Sequence, residues 1–378
     1  MALLLGTKTR VLMALRKEAK RRGLSVTAYM EAAPPETLIA LIRQVDPAVN
    51  PAEIVPGLPD LPAVDVTRWG LPPEQTLSTS LSRRIPVVSA AVAAARAGDH
   101  RPAVDLLTRS AGDWALRSVA VHALGEAAAD DDTWVRSWRA VTGEYDPHLA
   151  VLDAHALFWL AWKLRGNKPG AATRADQHDA FHETVVRAET AARRATELAP
   201  NDPTPWCTLV TLARAQGYDP IAFAAIWKEL QARDPLHRTG HEFALMYLSP
   251  EGNGSYEHLF AFAERAAAAS PSLAFLVVQV AYDLEDHDER VWQDPRVRRA
   301  LDVLLTWLGS ATGGRGVHAN SDRSWAAYGL VSSGRGAEAV PLFAQLGTDA
   351  AGRPWEDFGD NAATVFDSYR RRACAATT

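Results

Sequence analysis

The sequence predicts an all-α chain: an α-solenoid of helical hairpins, preceded by an N-terminal helical segment and a proline-rich strap. Alanine is abundant and runs of valine and isoleucine are short, which favours helices because alanine loses no side-chain entropy in a helix. Pro200, Pro235 and Pro271 each close an alanine-rich stretch, and they stand 35 and 36 residues apart. A fixed period in the thirties is the sequence signature of a helical repeat array.

A shared spacing of glycine, alanine and a larger apolar residue supports the same prediction. The pattern Gly-x4-Ala-x3-large residue occurs from Gly98 and again from Gly217. The glycine can end a first helix, and the alanine lets a second helix cross it closely. The larger residue, one turn further on, then fills the groove between the two helices. Each occurrence therefore predicts one helical hairpin.

The N-terminal part is predicted to begin with three helices. The first, over residues 9–22, has one apolar side and is otherwise basic. Gly23 ends it, and Ser25 is a natural N-cap for a short second helix. A third helix is expected over residues 35–45, where leucine and isoleucine recur at helical spacing.

A proline-rich strap is predicted to follow these helices. Seven prolines lie between residues 47 and 73, and each one fixes φ and removes a backbone donor, which indicates an extended connector. Regularly placed apolar residues suggest that this connector packs along helices. A soft boundary near Pro73 divides the chain into residues 1–73 and a helical-repeat domain over residues 74–378.

The repeat domain is predicted to contain a succession of helices with a turn-rich insertion at residues 166–176. A degenerate last repeat runs from Trp325 to Phe343, and the glycine-rich segment at 313–316 and the tail after Gly352 are predicted to be loops. The helices are expected at residues 86–96, 113–128, 132–142, 148–165, 177–199, 204–216, 219–233, 236–248, 255–269 and 272–285.

The middle repeat carries a resemblance to a known family. It reads Trp206-x2-Leu209-x3-Ala213-x3-Gly217 before the closing Pro235, which resembles the tetratricopeptide pattern with one residue inserted. Residues 176–285 also resemble a group of uncharacterised actinobacterial proteins with tetratricopeptide-like arrays. The words that match are Phe181-His-Glu183, Arg187-Ala-Glu189, Glu197-Leu-Ala-Pro200 and Asn201-Asp-Pro-Thr-Pro-Trp206. The resemblance implies stacked helical hairpins that bind a protein or peptide on a concave surface.

Composition and charge exclude several classes of protein. The net charge is −5, which argues against nucleic acid as the main partner. No stretch reaches the roughly 20 apolar residues of a membrane span, and no membrane partner is expected. With two cysteines in the sequence, a disulfide framework is not expected, which fits the cytoplasm. No phosphate loop, calcium loop or complete metal motif is present, so neither a cofactor nor a metal site is predicted.

The candidate binding residues are polar side chains on the repeat helices. His237, Arg238 and His241 lie at the start of a first-type repeat helix and are expected to face the groove. His182 and Arg187 lie on the long preceding helix. Histidine pairs at i,i+4, such as His237 and His241, can hold zinc, but a hydrogen-bonding role within the repeat is the commoner outcome. Arg187 can equally form a structural ion pair. No catalytic residue is assigned.

Three functions are consistent with these residues. The leading hypothesis is an interaction or scaffold module that binds a partner in its concave groove. The second is an enzyme, or an essential subunit of one, of specialised metabolism, with a polar pocket around His182, His237 and His241 and residues 166–176 as a lid. The third is a regulator that contacts nucleic acid through the basic N-terminal helix.

Overall fold

The computed structural model describes residues 7–47, 49–59, 64–81, 84–166, 174–250 and 254–377. Over these residues the chain is helical and contains no strand, and one isolated parallel bridge joins Ser78 to Asp349. The all-α prediction is therefore confirmed. The predicted insertion at residues 166–176 lies mostly outside the described residues.

Eighteen α-helices account for most of the described chain. In order they are α1 Thr7–Arg21, α2 Val26–Ala32, α3 Pro35–Val45, α4 Pro86–Arg96, α5 Arg101–Arg109, α6 Trp114–Asp130, α7 Thr133–Thr142, α8 Pro147–Arg165, α9 Ala175–Leu198, α10 Thr204–Leu212, α11 Pro220–Arg233, α12 Arg238–Tyr247, α13 Tyr256–Ala269, α14 Phe275–Leu284, α15 Pro295–Gly309, α16 Ala319–Ser332, α17 Gly336–Leu346 and α18 Ala362–Ala375.

The chain divides into two compact units. The first unit combines residues up to Leu81 with residues from Val277 onward, and the second consists of residues between them. This division differs from the predicted boundary at residue 73, because the strap belongs to the same unit as the C-terminal helices. In the described residues, no helix has both the length and the apolar character needed to cross a bilayer.

Helices α1, α2 and α3 of the first unit share a small apolar core. Val11, Leu15 and Ala19 follow one another at four-residue spacing on α1 and are buried against Tyr29 and Ile42. The α2 helix begins as predicted, with the Ser25 side chain accepting a hydrogen bond from the Ala28 amide at 3.1 Å. The apolar face of α1 is buried in this core, and its basic face remains exposed.

The strap is held against the C-terminal helix of the first unit. It contains short 3₁₀ turns at Pro51–Glu53, Val66–Trp69 and Glu74–Thr76. Two arginines of α18 donate to its backbone: Arg371 to the Val64 carbonyl and Arg370 to the Pro72 carbonyl, both at 2.8 Å. The suggestion that the strap packs along helices is therefore confirmed for its described part.

The C-terminal region is more helical than the sequence predicted. No helix was expected between residues 285 and 325, yet α15 fills residues 295–309, and the tail predicted as a loop forms α18. The core there is aromatic: the Tyr328 and Tyr369 rings stack at 4.5 Å. Tyr328 and Trp292 donate to the Glu285 carboxylate at 2.5 and 2.9 Å. These contacts give the tail a partner, which explains why it is ordered.

In the second unit, consecutive helices pair and alternate helices pack side by side. Pairs form between α4 and α5, α6 and α7, α8 and α9, α10 and α11, and α12 and α13. The first helices of these pairs contact each other in turn, from α4 through α6, α8 and α10 to α12. The apolar core beneath them includes Trp134, Trp138 and many alanines. The first helices therefore form a continuous series through this unit.

Candidate functional site

A groove opens in the second unit between α7, α8, α9 and the end of α6. Its volume is about 760 Å³, within the range of small-molecule sites. Alanines line much of it, and their small side chains leave the space between the helices unfilled. The apolar lining includes Ala128, Ala150, Ala156, Leu157, Leu160 and Val186, and the charged lining includes Asp130, Arg139, Glu144, Asp153, Arg187 and Arg194.

The acidic side chains of the groove are largely satisfied by cations of the same chain. Asp153 accepts a hydrogen bond from Arg139, and burial raises the pKa of the Asp153 carboxyl despite that bond. Arg139 also lies 3.4 Å from the Glu144 carboxylate. Asp130 pairs with Lys163. These pairs fix the walls of the groove. Two further acids line it: Asp132 pairs with Arg136, and Asp131 accepts hydrogen bonds from Thr133.

Among the groove residues that the structure describes, Arg187 is a cation without a partner. Its side chain is exposed, and it makes no ion pair or side-chain hydrogen bond with any described residue. The structural ion pair considered for Arg187 is therefore not formed within the described residues, and the nearby Glu189 binds Arg193 and Gln216 at 2.7 and 2.6 Å instead. The neighbouring Val186 is 54% exposed in the same groove. Together these two residues present one free guanidinium beside an uncovered apolar side chain.

His237 and His241 lie inside the second unit rather than on its surface. His237 is 2% exposed and caps α12: its Nδ1 accepts a hydrogen bond from the Gly240 amide at 3.1 Å. The His241 Nδ1 donates to the His237 carbonyl at 2.9 Å, and its ring packs against Trp227 and Phe262. The expectation that these histidines face an open groove is therefore wrong, because both are buried and aromatic residues of α11 and α13 cover His241.

Burial keeps both histidines neutral. It lowers the pKa of His237 to about 4 and also lowers the pKa of His241. Because the His237 Nδ1 accepts a hydrogen bond, its proton is on Nε2. That Nε2 is buried without a hydrogen-bond partner in the described part of the chain.

The Arg238 side chain is largely buried at the start of α12. Its guanidinium lies 3.4 Å from the centre of the Phe275 ring and 3.6 Å from the Glu242 carboxylate. These contacts anchor the side chain along the helix. Arg238 is therefore not free to reach a ligand in the way that Arg187 is.

His182 is exposed on α9, and its ring contacts are its own helix neighbours. It stacks on His178 at 6.1 Å and meets the edge of Phe181 at 5.3 Å. The structure gives it no contact with His237 or His241, so the expected polar pocket of three histidines is not formed. The described residues contain no group of three or more His, Cys, Asp or Glu that could hold a metal ion.

A buried ion pair in the second unit was not anticipated from the sequence. The Arg117 Nε donates to Asp202 Oδ2 at 2.5 Å, and both side chains are buried. Arg117 also donates to the Leu107 carbonyl at 2.6 Å and lies 3.2 Å from the His148 Nδ1. Asp202 precedes a proline near the start of a helix, which is a recognisable capping signal in the sequence. Its ion-pair partner Arg117, however, lies 85 residues away in the sequence.

A second buried polar chain, also unanticipated, runs from α6 through α8 to α10. Thr208 donates to the Thr204 carbonyl, so its oxygen is left to accept from the His155 Nδ1 at 3.3 Å. The His155 Nε2 then accepts from the His122 Nδ1 at 3.2 Å. Burial lowers the pKa of His122 to about 4. These three hydrogen bonds form with both histidines neutral, so we interpret the hydrogen-bonded series as structural.

Comparison with known proteins adds no assignment to this geometry. No family model, curated protein or solved structure matches the chain.

Proposed function

We propose that this chain is a helical-repeat interaction module that binds a segment of a partner protein in the groove beside α9. The observation that carries the proposal is the free guanidinium of Arg187 next to the exposed Val186. An unpaired cation and an exposed valine each lower the stability of the free protein only slightly. Both can contribute strongly to binding when a partner covers them.

The architecture supports the same proposal. We interpret the helix pairs of the second unit as tetratricopeptide-like hairpins stacked in an α-solenoid, because the first helices of successive pairs contact one another in order. Cys207 and Cys374 are both buried as free thiols. Because free thiols are typical of a reducing compartment, the proposal includes a cytoplasmic location.

The lining of the groove favours a particular kind of peptide. An apolar side chain would cover Val186 and Leu157, and a carboxylate one turn away would meet Arg187. Asp130, Glu144 and Asp153 are already paired with cations of the chain, so a strongly basic peptide gains less from them. The proposed ligand is therefore a short segment that combines an apolar anchor with an acidic residue.

Selection from a random-peptide display library against the full chain tests this function. The affinity of an enriched peptide would be measured by fluorescence anisotropy for the parent and for Val186→Ser and Arg187→Glu. We expect each change to weaken binding by about tenfold or more, as for interface anchors.

Two matched variants outside the groove serve as controls. Ile221→Ser removes an apolar side chain that is also highly exposed, and Arg265→Glu reverses an exposed charge on α13. Both should leave the affinity within about twofold of the parent. If no peptide is enriched, or if groove and control variants bind alike, the groove is not the binding site.

A further inference from the structure

We propose that the basic face of α1 docks on an anionic lipid surface. Charge is concentrated in this part of the chain: residues 7–33 contain seven basic and two acidic residues, a net charge of +5 in a chain whose net charge is −5. Such an asymmetry is typical of proteins that bind a polyanion or an anionic membrane. This inference is independent of the groove beside α9.

Only some of these cations form ion pairs within the first unit. Lys17 pairs with Glu289, and both Arg21 and Arg22 lie 3.0 Å from Glu18. Arg16 and Lys20 make no ion pair with any described residue. They stand one helical turn apart, so their charges lie on the same side of α1. Two cations without a partner among the described residues therefore face outward together.

A small recess lies between these two cations and the start of α2. It has a volume of about 330 Å³ and is lined by Arg16, Lys20, Gly23, Leu24, Ser25 and Val26. The recess combines positive charge with apolar walls. A lipid phosphate could approach Arg16 and Lys20 there while an acyl chain meets Leu24.

Exposed apolar side chains decide between a lipid and a nucleic acid. Leu12, Met13 and Leu24 are each between 41% and 49% exposed. The apolar face of α1 is already buried in the core through Val11 and Leu15, so folding does not require the outward leucines. A phosphate backbone offers them no apolar partner, whereas the boundary between headgroups and acyl chains does.

The expected absence of a membrane partner rested on the lack of a membrane-spanning stretch, and the net charge of −5 is a sum over the whole chain. The basic face of α1 is positively charged although the chain as a whole is negatively charged. A protein that binds the surface of a membrane needs no membrane-spanning helix. Because each cation near an anionic surface strengthens binding about fivefold, neutralising two of them should weaken it by about 25-fold, and reversing them by more.

Vesicle co-sedimentation of the full chain tests the proposal. Vesicles of about 30% phosphatidylserine in phosphatidylcholine should retain the protein, and pure phosphatidylcholine vesicles should not. The double variant Arg16→Glu with Lys20→Glu should weaken retention by more than about 25-fold. Leu12→Ser with Leu24→Ser, which keeps every charge, should weaken it several-fold and make the remaining binding more sensitive to salt.

The control is Lys228→Glu with Arg265→Glu, which makes the same change of charge at exposed positions of the second unit. It should leave retention within about twofold of the parent. Equal losses in both charge variants, or no retention by anionic vesicles, would overturn the proposal. Binding of a short DNA duplex with no vesicle binding would also overturn it and assign the face to nucleic acid. Thermal unfolding of each variant shows whether a loss of binding reflects a loss of folding.

Discussion

Arg117 and Asp202 form an ion pair inside the second unit, with Nε and Oδ2 2.5 Å apart and both side chains buried. The pair joins α6 to the turn before α10. Removal of one partner leaves the other charge buried and uncompensated, which is far more costly than loss of an exposed pair.

Arg117→Met should therefore destabilise the chain by about 3–5 kcal/mol, because the Asp202 side chain is left buried without the guanidinium that binds it. The urea midpoint measures this change. As a control, Arg101→Met breaks the exposed pair with Asp99 and should leave the midpoint within error. A small effect of Arg117→Met would show that water reaches Asp202 in the folded state.

The buried histidines predict a loss of stability in mild acid. The folded-state pKa of His237 is about 4, against about 6.5 when unfolded, so the unfolded chain binds more protons between these values. The stabilisation is complete above pH 6.5 and is lost as the pH falls toward 4, by up to about 3 kcal/mol for this residue.

His237→Asn isolates this contribution, because asparagine can still cap α12 but does not titrate. Urea midpoints measured from pH 7 to pH 4 should fall less steeply in this variant than in the parent. His258→Asn, at an exposed position, should leave the slope unchanged. Parallel slopes in the parent and His237→Asn would mean that His237 is protonated in the folded state.

Gly313 has a close backbone neighbour that explains its identity. A Cβ at this position would lie 2.2 Å from the Trp307 carbonyl oxygen, which must move to admit it. Gly313→Ala should therefore lower stability by about 1–3 kcal/mol. Gly309→Ala, where a Cβ has nothing within 4 Å, should be neutral or slightly stabilising. Thermal unfolding of the two variants compares them, and similar melting temperatures would argue against close packing of this loop.

The strap should contribute to the stability of the first unit. Leu71 is 2% exposed and Leu81, ten residues later, is 54% exposed. Leu71→Ala should cost about 2–5 kcal/mol, whereas Leu81→Ala should cost less than about 0.5 kcal/mol. Equal effects on the urea midpoint would indicate that the strap is a loose connector.

Much of the fold could be predicted from local signals. Proline at the first turn of α3, α4 and α11, and capping side chains such as Ser25 and Asp219, are visible in the sequence. The missed α15 carries the same signals, since Asp294 caps it and Pro295 begins it. The tail was predicted as a loop because its glycines and proline suggest turns, whereas its helix is stabilised by distant aromatic residues.

The candidate site was predicted only in part, because burial of its side chains depends on tertiary packing. The sequence singled out Arg187 on the long helix, and this residue lines the groove. It could not foresee that Trp227 and Phe262 would cover His241. Whether a polar side chain on a helix is buried depends on which residues of other helices pack over it, and periodicity does not report that.

The most direct test of the groove is a charge-swap measurement between Arg187 and the acidic residue of a selected peptide. Dissociation constants would be measured for the parent and Arg187→Glu, each with the original peptide and with a peptide in which lysine replaces that acid. We predict that each single change weakens binding by about tenfold and that the two together restore most of the affinity. Additive losses, with no recovery in the doubly changed pair, would contradict a contact between the peptide and Arg187.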